Sequence, residues 1–118
     1  MNVWLLLAAI NGFLAVAAGA FAAHGLQGRL DAHALTIFET GARYQMYHAL
    51  AIGLAAMTRN SSARLASMLF LAGIILFSGS LYLLALSGTR IWAFVTPVGG
   101  VAFLAGWAAL AWSAARTR

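Results

Sequence analysis

Cysteine and lysine are missing from this 118-residue chain, proline occurs once, and acidic residues occur only twice. Without cysteine there are no disulfides, no thiolate metal ligands and no cysteine nucleophile, and the redox compartment stays open. The two carboxylates are Asp31 and Glu39, and only Glu39 falls inside an apolar stretch. Paired acid–base catalysis therefore has no second carboxylate to work with. A Gly-rich phosphate loop, a nucleophile elbow and a His-Glu zinc helix are absent as well, so the chain is not expected to be an enzyme or to carry a cofactor.

Charge of either sign is scarce. Charged residues make up 8% of the chain, against about 25% in a soluble globular domain. What fills the space is apolar: 64% of the residues are hydrophobic. A water-soluble domain of this size cannot hide that much apolar surface, so the missing solvent is lipid. The net charge of +5 comes from arginines that punctuate apolar runs rather than from a basic face in polar surroundings. Nucleic-acid binding is accordingly not expected.

Four apolar runs lie between the charged boundaries: about Val3 to Ala23, Ala34 to Thr58, Leu65 to Ser87 and Phe94 to Ala115. Each reaches the roughly 20 residues that cross a hydrocarbon core of about 30 Å. The short connections make sequential helices antiparallel. The expected fold is an all-α membrane protein, a four-helix antiparallel transmembrane bundle forming one domain over residues 1–118. The first run has small residues near Ala22 but no basic residue before it, so it is expected to be retained as a helix and not removed as a signal peptide. Arg59, Arg64, Arg116 and Arg118 fall on the side of the termini, whereas the other side has Arg90 and an Arg29 offset by Asp31. The positive-inside bias then puts both termini in the cytoplasm. Trp4 and Trp112 would mark the inner interface and Trp92 the outer one.

Small residues recur at helical spacing, as close packing in lipid requires. Gly12 and Gly19 lie on the first helix, Gly73 on the third, and Gly99 and Gly106 on the fourth; all five are expected packing contacts. Thr96 and Pro97 suit a cap and a first-turn proline at the start of the fourth helix. Asn11 is expected to bond to a neighbouring helix, and Ser78 and Ser80 to carbonyls of their own.

The second run carries the most chemistry. Thr36, Glu39, Thr40, Arg43, Tyr44, Tyr47 and His48 share one half of a helix at about 100° per residue. Glu39 and Arg43 are spaced for an intrahelical ion pair. Measured from Arg59, both lie toward the outer interface, about 30 Å and 24 Å away, with His48 deeper. His24, His33, Arg29, Asp31 and Arg90 are placed to join them. The three histidines form no i, i+3 or i, i+4 ligand pair, so no metal or haem is expected.

Four ordered segments then carry a likeness. Gly19-Ala-Phe-Ala-Ala-His-Gly25, Phe38-Glu-Thr-Gly-Ala-Arg-Tyr-Gln-Met-Tyr-His-Ala49, Ser78-Gly-Ser-Leu-Tyr-Leu-Leu-Ala-Leu-Ser-Gly88 and Thr96-Pro-Val-Gly-Gly100 resemble the small bacterial inner-membrane family catalogued as domain of unknown function 423. The resemblance covers almost the whole chain and implies a four-helix membrane protein with no established activity, substrate or cofactor. Its polar positions are here His24, Glu39, Arg43, Tyr44, Gln45, Tyr47 and His48. The leading expectation is a non-enzymatic bundle acting by association with itself, with membrane lipid or with a larger membrane complex. The alternative is a small transporter or ligand pocket, opening outward at Glu39 and Arg43 above a titratable His48. A weaker third is a lipid-acting enzyme built from His24, Glu39 and Arg43.

Overall fold

The computed structural model describes residues 1–116; Arg118 lies outside the described residues. Four long helices account for nearly all of them: α1 (Val3–His24), α2 (Ala32–Ala56), α3 (Ser61–Ser87) and α4 (Trp92–Arg116). Three begin on a side-chain cap that the apolar runs do not reveal. Asn2 Oδ1 accepts from the Leu5 amide at 3.1 Å, Asp31 Oδ1 from Ala34 at 2.8 Å and Asn60 Oδ1 from Ala63 at 2.8 Å. Each satisfies a first-turn N–H that the helix itself leaves open. These caps start α2 at Ala32 and α3 at Ser61, earlier than the apolar runs suggest, and they bring His33 into α2 instead of the loop.

The start of α4 also differs from the reading of Thr96 and Pro97 as cap and first turn. The helix opens at Trp92 through bonds from Ala93 N to Arg90 O and from Phe94 N to Ile91 O, so Pro97 lies inside it. Thr96 is a helical residue whose hydroxyl shares its one proton between Trp92 O and Ser80 Oγ of α3, the latter at 2.6 Å.

Inside α3 the α-helical ladder widens into a π-turn over Ile74–Ser78, where Gly79 N reaches back to Ile74 O. Such turns insert one residue into the ladder and rotate everything after it. Ser80 uses its own helix, donating to Phe77 O at 2.9 Å. Ser78 does not, contrary to expectation: its fully buried hydroxyl has no hydrogen-bond partner, and neither has that of Ser67.

Neighbouring helices run antiparallel. The turn between α2 and α3 meets the end of α4, where Ser113 Oγ donates to Asn60 Oδ1 and Arg116 Nη2 to Ser61 Oγ, each at 2.9 Å. Trp4, near the start of α1, shares a cavity of about 620 Å³ with Arg59, Asn60 and Arg64 at this same end. At the far end Leu26, 5% exposed, turns in from the α1–α2 loop and plugs the bundle against Ala22, Phe38 and Ala85. A second apolar cluster, built around Ala51, Ile52, Ala66, Phe70 and Phe103, fills the half nearer the termini.

The helices form an open sheaf and not a closed ring. α1 packs on α2, while α3 packs on both α2 and α4. On α3 and α4 the glycines make the seam: a Cβ on Gly73 would strike the Phe103 ring, one on Gly99 the backbone of Phe77, and one on Gly106 the Phe70 ring at 2.7 Å. On α1 the glycines meet no other helix of the chain. Beyond their immediate neighbours and the adjoining turns of α1 itself, nothing lies within 4 Å of where a Cβ on Gly12 or Gly19 would stand, because α1 meets α2 through Ala8, Asn11, Ala15 and Ala22 instead.

The molecule is 52 Å long, enough to cross a bilayer of about 40–45 Å with its interfaces. α1, α3 and α4 have the length and apolarity to span it, with mean hydropathies of 2.1, 2.3 and 1.7. α2 has the length but carries the polar arc, and by composition alone it falls short.

Candidate functional site

The structure resolves the α2 arc into two sites and an outward strip. Glu39 and Arg43 line a groove of about 240 Å³ with Ala42 and Met46 of α2 and Ala15 and Gly19 of α1. Tyr44, Tyr47 and His48 line a different cleft, of about 460 Å³, facing Phe77 of α3 and Phe103 and Trp107 of α4. His24 lines neither, and lies exposed at the end of α1. The candidate cluster of His24, Glu39, Arg43, Tyr44, Tyr47 and His48 is thus split by where α1 and α4 press against α2.

In the groove the expected ion pair does not form. Arg43 Nη2 instead donates to Thr40 Oγ1 at 3.2 Å. Thr40 passes the chain of bonds on to Thr36 O, and Thr36 to Ala32 O, each at 2.9 Å. Both charged side chains are exposed on the surface of the single chain.

Their depth also differs from the estimate made from Arg59, which lies in the turn beyond the helix and adopts a left-handed φ of 58°. Counted along α2 itself, Arg43 is about 17 Å from the end at Ala32 and about 20 Å from the end at Ala56, at about 1.5 Å per residue. Cross-helix contacts set the middle slightly further on: His48, five residues and about 8 Å beyond Arg43, stacks on Phe103, and Phe103 meets Gly73, at the middles of α4 and α3. Arg43 therefore sits near the mid-level of the bundle, with Glu39 one turn toward the α1–α2 loop.

His48 is fully engaged. Its Nδ1 lies 2.8 Å from Tyr44 O, which can only accept, and its Nε2 is 3.1 Å from Trp107 Nε1, which can only donate. Only the neutral tautomer with the proton on Nδ1 satisfies both. The ring stacks on Phe103 at 3.5 Å between centroids and 6° between planes, and Phe70 and Trp107 flank it. This is a packed imidazole that joins α2 to α4, lying in a different pocket from Glu39 and Arg43. The stacked arrangement that a gated channel needs, charges above a free histidine, is not what the helices bring together.

Between the two apolar clusters runs a polar cross-brace that periodicity did not single out. Tyr82 OH of α3 donates to Gln45 Oε1 at 2.7 Å, Gln45 Nε2 to Asn11 Oδ1 of α1 at 3.1 Å, and Asn11 Nδ2 to Leu7 O at 2.9 Å. Asn11 thus makes its expected interhelical bond. The brace works because α2 passes close to α3 at Gly41, where a Cβ would meet the Tyr82 ring at 2.9 Å and Ser78 O at 3.3 Å. A lone Asn, Gln or Tyr in an apolar run signals such a bond, but only the packing names its partner.

At the loop end, Asp31, His33 and Arg90 share a third pocket with Ile37 and Phe94, apart from Glu39 and Arg43. Among the described residues, no three histidine or acidic side chains gather as metal ligands.

Residues 18–100, which include α2, α3 and the Glu39 and Arg43 side of the groove, match the family model described as "Protein of unknown function (DUF423)". A membrane protein of Haemophilus influenzae is 47% identical over 99% of this chain and 97% of its own. The inner membrane protein YgdD of Escherichia coli K12 is 55% identical over 97% of this chain and 90% of its own. A membrane protein of Staphylococcus aureus is 46% identical over 91% and 90%. No solved structure matches the chain. A helical bundle with three membrane-length apolar helices and likeness along almost its full length leads to one conclusion: the chain is a membrane protein belonging to the DUF423 family, whose biochemical activity is unknown.

Proposed function

We propose that the protein is a non-enzymatic bundle of the bacterial inner membrane that acts by association, crossing the membrane four times with both termini in the cytoplasm. The observation that carries this reading is the exposure of Glu39 and Arg43 near mid-level on the α1–α2 face. Charged side chains at that depth nearly always face a bundle interior, a water-filled cavity or one another. Here they do none of these within the chain, and an associating molecule supplies what is missing.

The fourth pass follows from the same packing. α2 lies between α1 and α3, so if they span, it spans with them, its interior side satisfied by Gln45 and His48. Arg59, Arg64 and Arg116 at the end of the termini support a cytoplasmic placement and seat that end among lipid headgroups. The inner membrane location rests on the likeness to the Escherichia coli relative.

Purification in mild detergent followed by native electrophoresis tests the association. The expected result is a complex larger than the chain that is lost when Glu39 and Arg43 are both replaced by alanine. A lone monomer, with no partner of any kind, contradicts the reading.

A further inference from the structure

We propose that the α1–α2 face is a homodimer interface, in which two copies related by a two-fold axis along the membrane normal pair Arg43 of each with Glu39 of the other. This rests on the association reading above and names the partner.

The chain has three ways to accommodate charges near mid-level, and the geometry closes each. An internal ion pair is not made, since Arg43 bonds to Thr40. The interior side of α2 is already occupied by Phe38, Gly41, Gln45 and His48. A water channel needs polar walls, yet apart from the two charges the groove is walled by Ala15, Gly19, Ala42 and Met46. Something outside the chain must cover it.

That cover has to present an anion and a cation at two levels one helical turn apart, about 6 Å. A lipid phosphate answers only the arginine and leaves the carboxylate uncovered. The same face of a second copy presents both charges. A two-fold axis along the normal keeps the two copies in the same membrane orientation and sets each Glu39 level with the other, one turn above each Arg43. The long guanidinium arm rises that one turn, in the direction in which arginine snorkels. Two reciprocal pairs result, as an isologous interface demands.

The surface beside the charges suits close approach. Gly12 and Gly19, seven residues apart, are unfilled within the chain. A second groove, lined by Ala9, Gly12, Phe13 and Val16 of α1, continues the first, and Met46 borders both. Small residues let helix backbones meet, and a flexible methionine adapts to the facing surface. α1 has α2 as its one substantial packing neighbour, so this side of it is open.

The chain's lack of cysteine makes the test clean. Gly12→Cys is introduced into the full-length protein and oxidised in native membranes, with Leu104→Cys, exposed on α4, as the control. The expected result is a disulfide-linked dimer for Gly12→Cys and none for Leu104→Cys. In the Gly12→Cys background, E39R and R43E are each expected to reduce crosslinking at least tenfold. Co-expression of the two differently tagged single variants is expected to restore it, because each then meets its opposite charges. That rescue also shows that both variants insert and fold.

Crosslinking that persists in the single variants, or fails to return on co-expression, overturns the pairing. A complex with a different protein that still requires Glu39 and Arg43 overturns the dimer but leaves the association reading standing. A monomer under every condition overturns both.

Discussion

Gln45 holds three helices with one amide, accepting from Tyr82 and donating to Asn11. Interhelical hydrogen bonds in membranes are each worth about 0.6 kcal/mol on average. Gln45→Leu is expected to destabilise the bundle by about 1–2 kcal/mol, measured by unfolding in mixed detergent and SDS; no change would show that the brace contributes nothing. His48→Phe preserves the stack on Phe103 but strands the Trp107 N–H. A donor left unpaired away from water, as the half-exposed Trp107 is among lipid or detergent chains, costs about 1–3 kcal/mol, and the same assay reads it. Much at this scale was legible beforehand, because a lone polar side chain in an apolar run must find a partner: Asn11 was expected to reach a neighbouring helix. Gln45 was not legible as its counterpart, nor Trp107 as that of His48, since no periodicity tells which residue of another helix lies opposite. The Glu39–Arg43 spacing misled for a related reason. Correct spacing permits an ion pair, but Thr40 stands closer along the arginine's path and takes the bond.

Elements were legible in number and order, less so at their ends. Apolar runs report where lipid begins, whereas helices begin at caps, and Asn2, Asp31 and Asn60 all stand outside or at the edge of those runs. Small residues were equally legible as packing candidates but not by what they pack against. Gly99 meets the backbone of Phe77 on α3, and Gly12 meets no other helix of its own chain. Gly99→Ala is therefore expected to overpack the α3–α4 seam and cost about 1–3 kcal/mol. Gly12→Ala is expected to leave the stability of the isolated chain within about 0.5 kcal/mol. Thermal unfolding of both variants as monomers in strong detergent checks the contrast, and equal losses would show that α1 packs internally at Gly12 after all.

For the whole molecule, four antiparallel helices bring the termini and the α2–α3 turn to one end, with Arg59, Arg64 and Arg116. Alkaline phosphatase fused after Arg116 is expected to be inactive, and fused within the α3–α4 loop at Thr89 to be active; the reverse pattern would invert the orientation. Composition made the lipid environment legible at once. It did not make the depth of Arg43 legible, because depth was measured from Arg59, a turn residue, instead of from the ends of α2. That depth underlies the association reading and the dimer alike. Spin labels at the outward positions Thr36, Tyr47, Leu50 and Met57 of the cysteine-free chain, with collision rates for oxygen and a polar nickel reagent, give the immersion profile of α2 directly. The account predicts the deepest position at Tyr47, one turn from Arg43, with depth falling toward both Thr36 and Met57. A profile that deepens steadily from Thr36 to Met57, or lies at headgroup level throughout, would contradict it.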